Sequence, residues 1–230
     1  MLHGYLPAIL DGLQTSLKVA ATSLAIACVF GLLGATAKLS GPPWMRRLVD
    51  AYTTVIRGVP ELALMLIVFY GGQTLVNWAV QKMGGDYVEV PAFAAGVLTI
   101  GFVFGAYMTE TFRGAILAIP VGQLEAASAV GMNRVQVLQR ITLPQMIRHA
   151  IPGFTNNWLV MIKATALVSI IGLDDMMQRA GLAAAATREP LTFYLTVAGI
   201  YLAITTVSIV LLGWVERRYS VGVRRAPTGL

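Results

Sequence analysis

The sequence predicts an all-α protein that spans a membrane five times, and two observations support this fold class. Apolar residues make up 57% of the 230 residues and charged residues only 12%, whereas a soluble domain carries about 25% charged residues. Five apolar segments are long enough to cross a hydrocarbon core of about 30 Å as helices. They cover residues 13–37, 59–80, 91–112, 151–173 and 191–214. We therefore expect a single transmembrane domain over residues 1–230.

Local signals set the boundaries of these segments. Lys18 lies inside the first segment and no basic stretch precedes it, so we expect a span rather than a signal peptide. Pro60 suits the first turn of the second helix. Residues 84–86 and Pro91 separate the second segment from the third. Residues 113–150 are too polar to span, and we expect a long loop there.

The basic residues predict the direction in which the chain crosses the membrane. One set of loops holds twelve Lys and Arg residues, and the opposite set holds three. The first set is Lys38, Arg46, Arg47, Arg57, Arg113, Arg134, Arg140, Arg148, Arg217, Arg218, Arg224 and Arg225, and the second is Lys82, Arg179 and Arg188. Loops rich in Lys and Arg stay in the cytoplasm. We therefore expect the N-terminus outside and the C-terminus inside.

Several functions are disfavoured by what the sequence lacks. Cys28 has no partner within the chain, and His3 and His149 are too far apart for a metal-ligand motif. The sequence contains no phosphate-binding loop with the pattern Gly-x-x-x-x-Gly-Lys-Ser/Thr. We expect no catalytic residue, metal ion or cofactor in this chain. Because the basic residues flank the spans, they indicate membrane topology rather than nucleic-acid binding.

The polar segment 113–150 predicts two short helices joined by an elbow. Pro120 can open the first helix, and Gly131 can provide a left-handed residue at its end. Asn133 suits the N-cap of the second helix. We expect Pro144 to end this helix before the next span begins. On periodicity alone, an amphipathic helix on the membrane surface explains the segment equally well.

The spacing within this segment resembles the cytoplasmic signature of ATP-binding-cassette (ABC) importer permeases. The residues that carry the resemblance are Glu125, Ala126, Ala127, Gly131, Ile141, Leu143 and Pro144. In that family they form a coupling helix that docks on an ATPase subunit, so the resemblance implies ATPase coupling as their role.

The resemblance to permeases for polar amino acids extends over most of the chain. It rests on residues 57–62, 105–114, 156–158, 163–169 and 216–220. It implies a type I importer fold, a second permease subunit, two ATPase subunits that bind ATP and Mg²⁺, and a periplasmic amino-acid-binding protein. It also implies a lipid-embedded, non-catalytic subunit in the bacterial inner membrane. Its substrates would be basic or polar L-amino acids such as histidine, arginine, lysine and ornithine, imported by alternating access; opine permeases share the pattern.

Polar side chains within the spans are candidates for a substrate path. Lys163 lies about midway along the fourth segment, where a charge is costly and is usually functional or paired. At about 100° per residue, Asn156 shares its helix face. Asn157, Thr165, Ser169, Tyr107, Tyr201, Glu61 and Glu110 are the further candidates. Because polar groups surround much of the fourth helix, we expect it in the middle of the bundle. Snorkelling or an ion pair with the partner subunit would also explain Lys163.

Glu61 and Glu110 lie near the predicted cytoplasmic ends of their segments. Arg57 precedes Glu61 by four residues and Arg113 follows Glu110 by three, so local ion pairs can explain both acids. A cationic substrate needs a carboxylate, yet no acid is then expected at mid-depth. Some related permeases have Glu at the position of Asn157. We therefore expect the partner subunit to supply the acid, which favours a heterodimer over a homodimer.

Two other function classes fit the sequence less well. An ion-coupled secondary transporter needs ion-binding groups at mid-depth and often shows internal repeats, whereas we find one lysine and no repeat. An intramembrane enzyme needs a buried catalytic constellation, and the sequence offers none. Which amino acid or opine is carried stays open.

Overall fold

The computed structural model describes residues 2 and 4–219, and every regular element among them is a helix. The helices are α1 (Leu6–Ser40), α2 (Pro43–Gly58), α3 (Glu61–Lys82), α4 (Ala92–Leu117), α5 (Val121–Ala129), α6 (Arg134–Val137), α7 (Leu143–Ala164), α8 (Met176–Thr187) and α9 (Pro190–Tyr219). Five helical stretches are long and apolar enough to cross a membrane, which confirms the predicted fold class. They are α1, α3, α4, the continuous helix Arg134–Ile171 and α9. His3, Ser220, Arg224 and Arg225 lie outside the described residues.

Helices α1 and α4 pack side by side and run in the same direction. Ser23 donates to the carbonyl of Val97 at 3.2 Å, and further along both helices Lys38 contacts Glu110. Gly101 lies so close to α1 that an added Cβ would overlap it. Small residues permit such close packing between membrane helices. Because successive spans cross a membrane in alternate directions, the first and third spans must run in the same direction.

Helix α2 lies in a region that the hydropathy pattern assigns to a loop. Thr53 and Ile56 are buried, and the Tyr52 hydroxyl donates to the carbonyl of Phe102 in α4. The apolar residues of α2 recur at helical spacing, so one face packs on its neighbours while charged residues cover the other. Helix α2 carries the chain from the end of α1 back alongside α4. As a result, α3 begins opposite the middle of α4.

The polar loop forms the predicted elbow. Helix α5 ends before Gly131, which has a φ of +82°, and Asn133 caps α6 in a reciprocal pair of hydrogen bonds with Gln136. The prediction that Pro144 ends the second helix is wrong. A π turn over Leu138–Thr142 joins α6 to α7 without a break. A proline lacks an N–H and crowds the carbonyl four residues earlier, and the wider π turn before Pro144 accommodates both effects.

The far end of the fourth span contains a second element that hydropathy does not predict. A 3₁₀ helix over Thr165–Ile171 follows α7, Gly172 adopts a φ of +83°, and Asp175 caps the short helix α8. Helix α8 packs between α1 and α9, where Met176 and Phe193 are fully buried. Most of α9 stays uncovered, because only 6% of its most apolar window is buried within the chain.

Candidate functional site

The Lys163 side chain borders a groove between α7 and α9. The groove has a volume of about 650 Å³, and Tyr201 and Thr205 of α9 form its opposite wall. Thr165 is fully buried beneath it, and its hydroxyl lies 3.4 Å from that of Tyr201. The structure therefore brings together three of the predicted candidates, Lys163, Tyr201 and Thr165. Of the remaining candidates on this helix, Ser169 donates to its own backbone at Ala166.

Glu61 does not lie at the end of the bundle, as the sequence suggests. Its side chain lines a small cavity with residues from Thr99 to Phe104, in the middle of α4. Ala164 and Leu167 of the fourth span complete this cavity. Because Ala164 follows Lys163 directly, Glu61 and Lys163 branch from their helices at a similar level of the bundle, where they line different cavities. The expectation that this chain has no mid-depth acid is therefore wrong.

The predicted ion pair between Arg57 and Glu61 is also absent from the described residues. Helix α2 ends at Gly58 and α3 begins at Glu61, so the two side chains lie on different helices. The four-residue spacing that aligns side chains within one helix consequently does not apply. Arg57 instead places its guanidinium 5.5 Å from the ring centroid of Tyr107, another of the predicted candidates.

Glu110 lies in a charged cluster where α1, α2 and α4 meet. The predicted pair with Arg113 is present, at 2.9 Å. Lys38 approaches Glu110 at 2.6 Å and Asp50 at 2.8 Å, and it also donates to Thr53. The Lys38 ammonium holds the pKa of Asp50 below its ordinary value. The local contacts of Glu110 are therefore those of a structural cluster that joins three helices.

Asn156 and Asn157 have different surroundings. Asn156 is exposed on the same side as Lys163, in agreement with the helical arithmetic. Asn157 is buried, and its amide donates to the Thr111 hydroxyl at 2.9 Å. Since Thr111 follows Glu110, Asn157 lies nearer than Lys163 to the end of the bundle that carries the elbow. The hydrogen bond of Asn157 thus links α7 to α4.

The elbow presents an open surface beyond the spans. Glu125 and Ala126 are exposed on α5, while Ala127 is buried. Apolar side chains around them lie open, with 73% exposure for Val130 and 65% for Val121. The motif's second half, Ile141, Leu143 and Pro144, lies along the π turn and the start of α7. An exposed apolar patch of this kind is typical of a docking surface.

Asp175 is a buried acid that the sequence analysis does not single out. The residue is fully buried; its Oδ1 accepts from the backbone N–H of Gln178 at 2.8 Å, and its Oδ2 has no partner. Burial raises its pKa to about 6. The spacing Asp175-x-x-Gln178 matches an N-cap pattern, which is the signal that would have predicted α8.

Comparisons with known proteins identify the family to which this chain belongs. Residues 27–221 match the family model described as binding-protein-dependent transport system inner membrane component. The chain belongs to this family. It is 47% identical over 226 residues, 98% of this chain and 99% of the relative, to the histidine/lysine/arginine/ornithine transport system permease protein HisQ of Escherichia coli (strain K12). It is 40% identical over 211 residues, 91% of this chain and 89% of the relative, to the octopine transport system permease protein OccQ of Rhizobium meliloti.

A solved structure supports the same assignment. The permease resembles a chain from the crystal structure of an amino acid ABC transporter with histidines, with 31% identity and a TM-score of 0.79. That match covers 93% of this chain and 95% of the other. The permease is therefore of the polar amino-acid ABC importer type, as the sequence motifs predict, and its five-helix fold is the type I importer fold.

Proposed function

We propose that this permease imports basic L-amino acids, of the histidine, arginine, lysine and ornithine class, from the periplasm to the cytoplasm. The observation that carries the proposal is the placement of Glu61 and Lys163 at a similar level of the bundle. A basic amino acid has a carboxylate at one end and a cationic side chain at the other. Lys163 suits the carboxylate and Glu61 the cationic group, because charge-assisted hydrogen bonds are the strong ones. The substrates named for the HisQ relative belong to the same class.

The continuous helix from Arg134 to Ala164 provides a route for coupling. Two separate ATPase subunits would bind ATP with Mg²⁺ and contact the elbow at Glu125 and Ala126. Because no break separates the elbow from α7, a displacement of the elbow moves the turn that carries Lys163. Alternating access would follow from this movement. The permease itself supplies the path and no covalent chemistry.

The exposed face of α9 indicates where the path is completed. Helix α9 forms one wall of the Lys163 groove and is otherwise largely uncovered. A second permease subunit would close this groove in the inner membrane, and a periplasmic amino-acid-binding protein would deliver the substrate. Because Glu61 supplies an acid in this chain, a partner is not needed for that purpose. The argument for a heterodimer therefore rests on Asn157, which occupies a position where some related permeases have Glu.

Opine transport is the alternative within the same family, since relatives named for octopine and nopaline also match. Opines carry a second carboxylate. Among the residues that the structure describes, Lys163 is the only cationic side chain that lines the groove between α7 and α9, so this part of the chain offers a single ammonium for that purpose. This favours a basic amino acid over an opine.

The proposal is tested by Glu61→Gln in the assembled transporter in proteoliposomes. We expect arginine uptake driven by ATP to fall at least about tenfold, because a charge-assisted hydrogen bond contributes about 1.5–3 kcal/mol. Glu89→Gln, which removes an exposed acid outside the helices, serves as the matched control and should leave uptake unchanged. Unaltered arginine uptake by Glu61→Gln would contradict the substrate site. Uptake that needs an ion gradient and no ATP would contradict the transporter class.

A further inference from the structure

A second groove, which we call the α1–α2 groove, lies on the opposite side of α4 from α7. It has a volume of about 670 Å³ and is bounded by α1, α2 and Phe102 of α4. Along α1 it extends from Phe30 to Ser40, about 15 Å at the helical rise per residue. This length equals the thickness of one hydrocarbon leaflet, which is half of about 30 Å.

The walls of the α1–α2 groove are apolar. Leu33 and Leu48, which line it, are 61% and 62% exposed. Two of the three hydroxyls that line it are already used, because Thr36 donates to backbone carbonyls of its own helix and Tyr52 donates to Phe102; the third, on Ser40, lies at the basic end. The groove interior therefore offers hydrocarbon surface and no free hydrogen-bond donor along most of its length.

One end of the groove is basic. Arg46 donates through Nε to the carbonyl of Gly41 at 2.8 Å and through Nη2 to Leu39, and Gly41 forms part of the groove mouth. Of the five N–H donors of a guanidinium, those that remain on Arg46 are open, and the next residue, Arg47, is exposed on the outer face of α2. Within residues 4–219 no carboxylate lies in ion-pair range of either arginine. The nearby Lys38, by contrast, is held by Glu110 and Asp50.

We propose that the α1–α2 groove is a binding site for a phospholipid with an anionic headgroup. One acyl chain lies along Leu33 and Leu48, and the phosphate contacts Arg46, whose guanidinium reaches Gly41 at the groove mouth. Trp44, which is 64% exposed at the groove mouth end of α2, lies at headgroup level, where tryptophan is enriched in membrane proteins. Basic pockets at the ends of membrane helices recognise such headgroups.

The distribution of charge selects this occupant over a helix of another subunit. A lipid is charged at one end and apolar along the rest, as the groove is. A packed helix would place side chains along the whole length, and the charge of Arg46 at the mouth would require a carboxylate on that helix. A zwitterionic lipid fills the apolar part equally well but gains less from Arg46, so the proposal specifies a preference for negative headgroups.

The test uses the full-length chain, purified with its accompanying subunits and placed in vesicles. Phosphatidylglycerol or phosphatidylcholine with brominated acyl chains is added, and quenching of tryptophan fluorescence is measured. Quenching of Trp44 is obtained as the difference between the native protein and Trp44→Phe. We expect this quenching to report an apparent affinity about fivefold higher for brominated phosphatidylglycerol than for brominated phosphatidylcholine, as follows from one arginine contact near a membrane surface.

Five variants separate the parts of the proposal. Arg46→Gln should remove the preference, whereas Arg46→Lys, which keeps the charge, and Arg47→Gln, an equal loss of charge on the outer face of α2, should retain it. Arg46→Lys loses the guanidinium contacts with α1 just as Arg46→Gln does, so the two variants together separate the effect of charge from that of the fold. Ala37→Phe, which fills the groove, should reduce quenching by both lipids, whereas Ala51→Phe on the outer side of α2 should not.

Three results would overturn the proposal. They are equal quenching of native Trp44 by the two lipids, a preference that persists in Arg46→Gln, and no quenching by either lipid. The last result would mean that a protein segment covers the groove.

Discussion

At the scale of single residues, Asp175 links burial to acidity. Its carboxyl lies where α8 meets α1, next to the contact between Met176 N–H and the Ser16 hydroxyl. The charged groups around it are Asp174, Arg179 and Asp11, and Arg179 pairs with both of these aspartates. Arg179 is thus engaged elsewhere, and Asp175 carries its charge without a cation. The folded protein therefore favours the protonated form of this group.

This preference predicts a pH dependence of stability. The pKa of Asp175 rises from 3.8 to about 6 on folding, so the native state binds the proton more tightly than the unfolded state. Protonated Asp175 adds at most about 3 kcal/mol to the free energy of unfolding. This contribution is fully present below about pH 4 and is lost as the pH rises through about 6. Asp175→Asn keeps a cap oxygen for Gln178 and removes the ionisation. In thermal unfolding from pH 4.5 to 7, the melting temperature of the variant should rise relative to that of the native protein as the pH increases.

Asp174→Asn is the matched control for that experiment. Asp174 is exposed, and the Arg179 guanidinium lowers its pKa, so its loss should not produce the same trend. A pH profile of Asp175→Asn that parallels the native protein would contradict the prediction.

Glu61 illustrates what residue spacing can and cannot predict. The sequence offers Glu61 as a candidate and correctly predicts the pair of Glu110 with Arg113. It misplaces Glu61, because this residue begins the second apolar segment and the start of such a segment indicates the membrane surface. The depth of Glu61 depends on α2, which returns the chain alongside α4 and leaves no signal in the hydropathy of Glu61's own segment.

At the scale of elements, the elbow depends on one backbone conformation. Gly131 has a φ of +82° and nothing within 4 Å of an added Cβ, so the restriction on this position is conformational rather than steric. A residue with a Cβ costs about 1–2 kcal/mol in this region, whereas asparagine tolerates it better. The angle between α5 and α6, and hence the shape of the proposed docking surface around Glu125, depends on this residue.

We expect Gly131→Arg to abolish ATP-driven uptake while membrane insertion stays normal. Glu125→Lys should do the same by reversing charge on the docking surface. Gly131→Asn is the matched control and should retain most of the uptake. The measurement is amino-acid uptake beside ATPase activity in the assembled transporter. Normal uptake by Gly131→Arg would contradict the coupling role.

Hydropathy predicts the spans well and the elements beside them poorly. The five apolar segments correspond to the five spanning helices, because burial in hydrocarbon requires long apolar runs. Helices α2 and α8 are amphipathic or short, and their stability comes from packing against α1, α4 and α9, which no local window measures. The fourth helix begins at Arg134 rather than 151, since a helix can continue into water beyond the membrane.

At the scale of the whole molecule, the distribution of charge predicts the orientation. Ten of the twelve basic residues on the expected cytoplasmic side lie within the described chain, and two, Arg224 and Arg225, lie outside it. The parallel packing of α1 and α4 makes the first and third spans cross in one direction. The elbow and the loop between α3 and α4 must then lie on opposite sides of the membrane.

Cysteine accessibility measures this arrangement. In a Cys28→Ser background, Asp86→Cys lies between α3 and α4, and Ser128→Cys lies on α5, both at exposed positions. A membrane-impermeant maleimide added to cells with a permeable outer membrane should label Asp86→Cys, and it should label Ser128→Cys only after the inner membrane is opened. The reverse pattern would contradict the predicted orientation.

The π turn at Leu138–Thr142 has a geometric consequence for the whole transporter. It holds one residue more than an α turn, and one residue corresponds to a rotation of about 100° around the helix axis. The direction in which the Lys163 side chain points relative to the exposed face of α6 therefore depends on this single turn. The proposed substrate site and the proposed docking surface belong to opposite ends of one continuous helix, and the π turn sets the rotation of one end relative to the other.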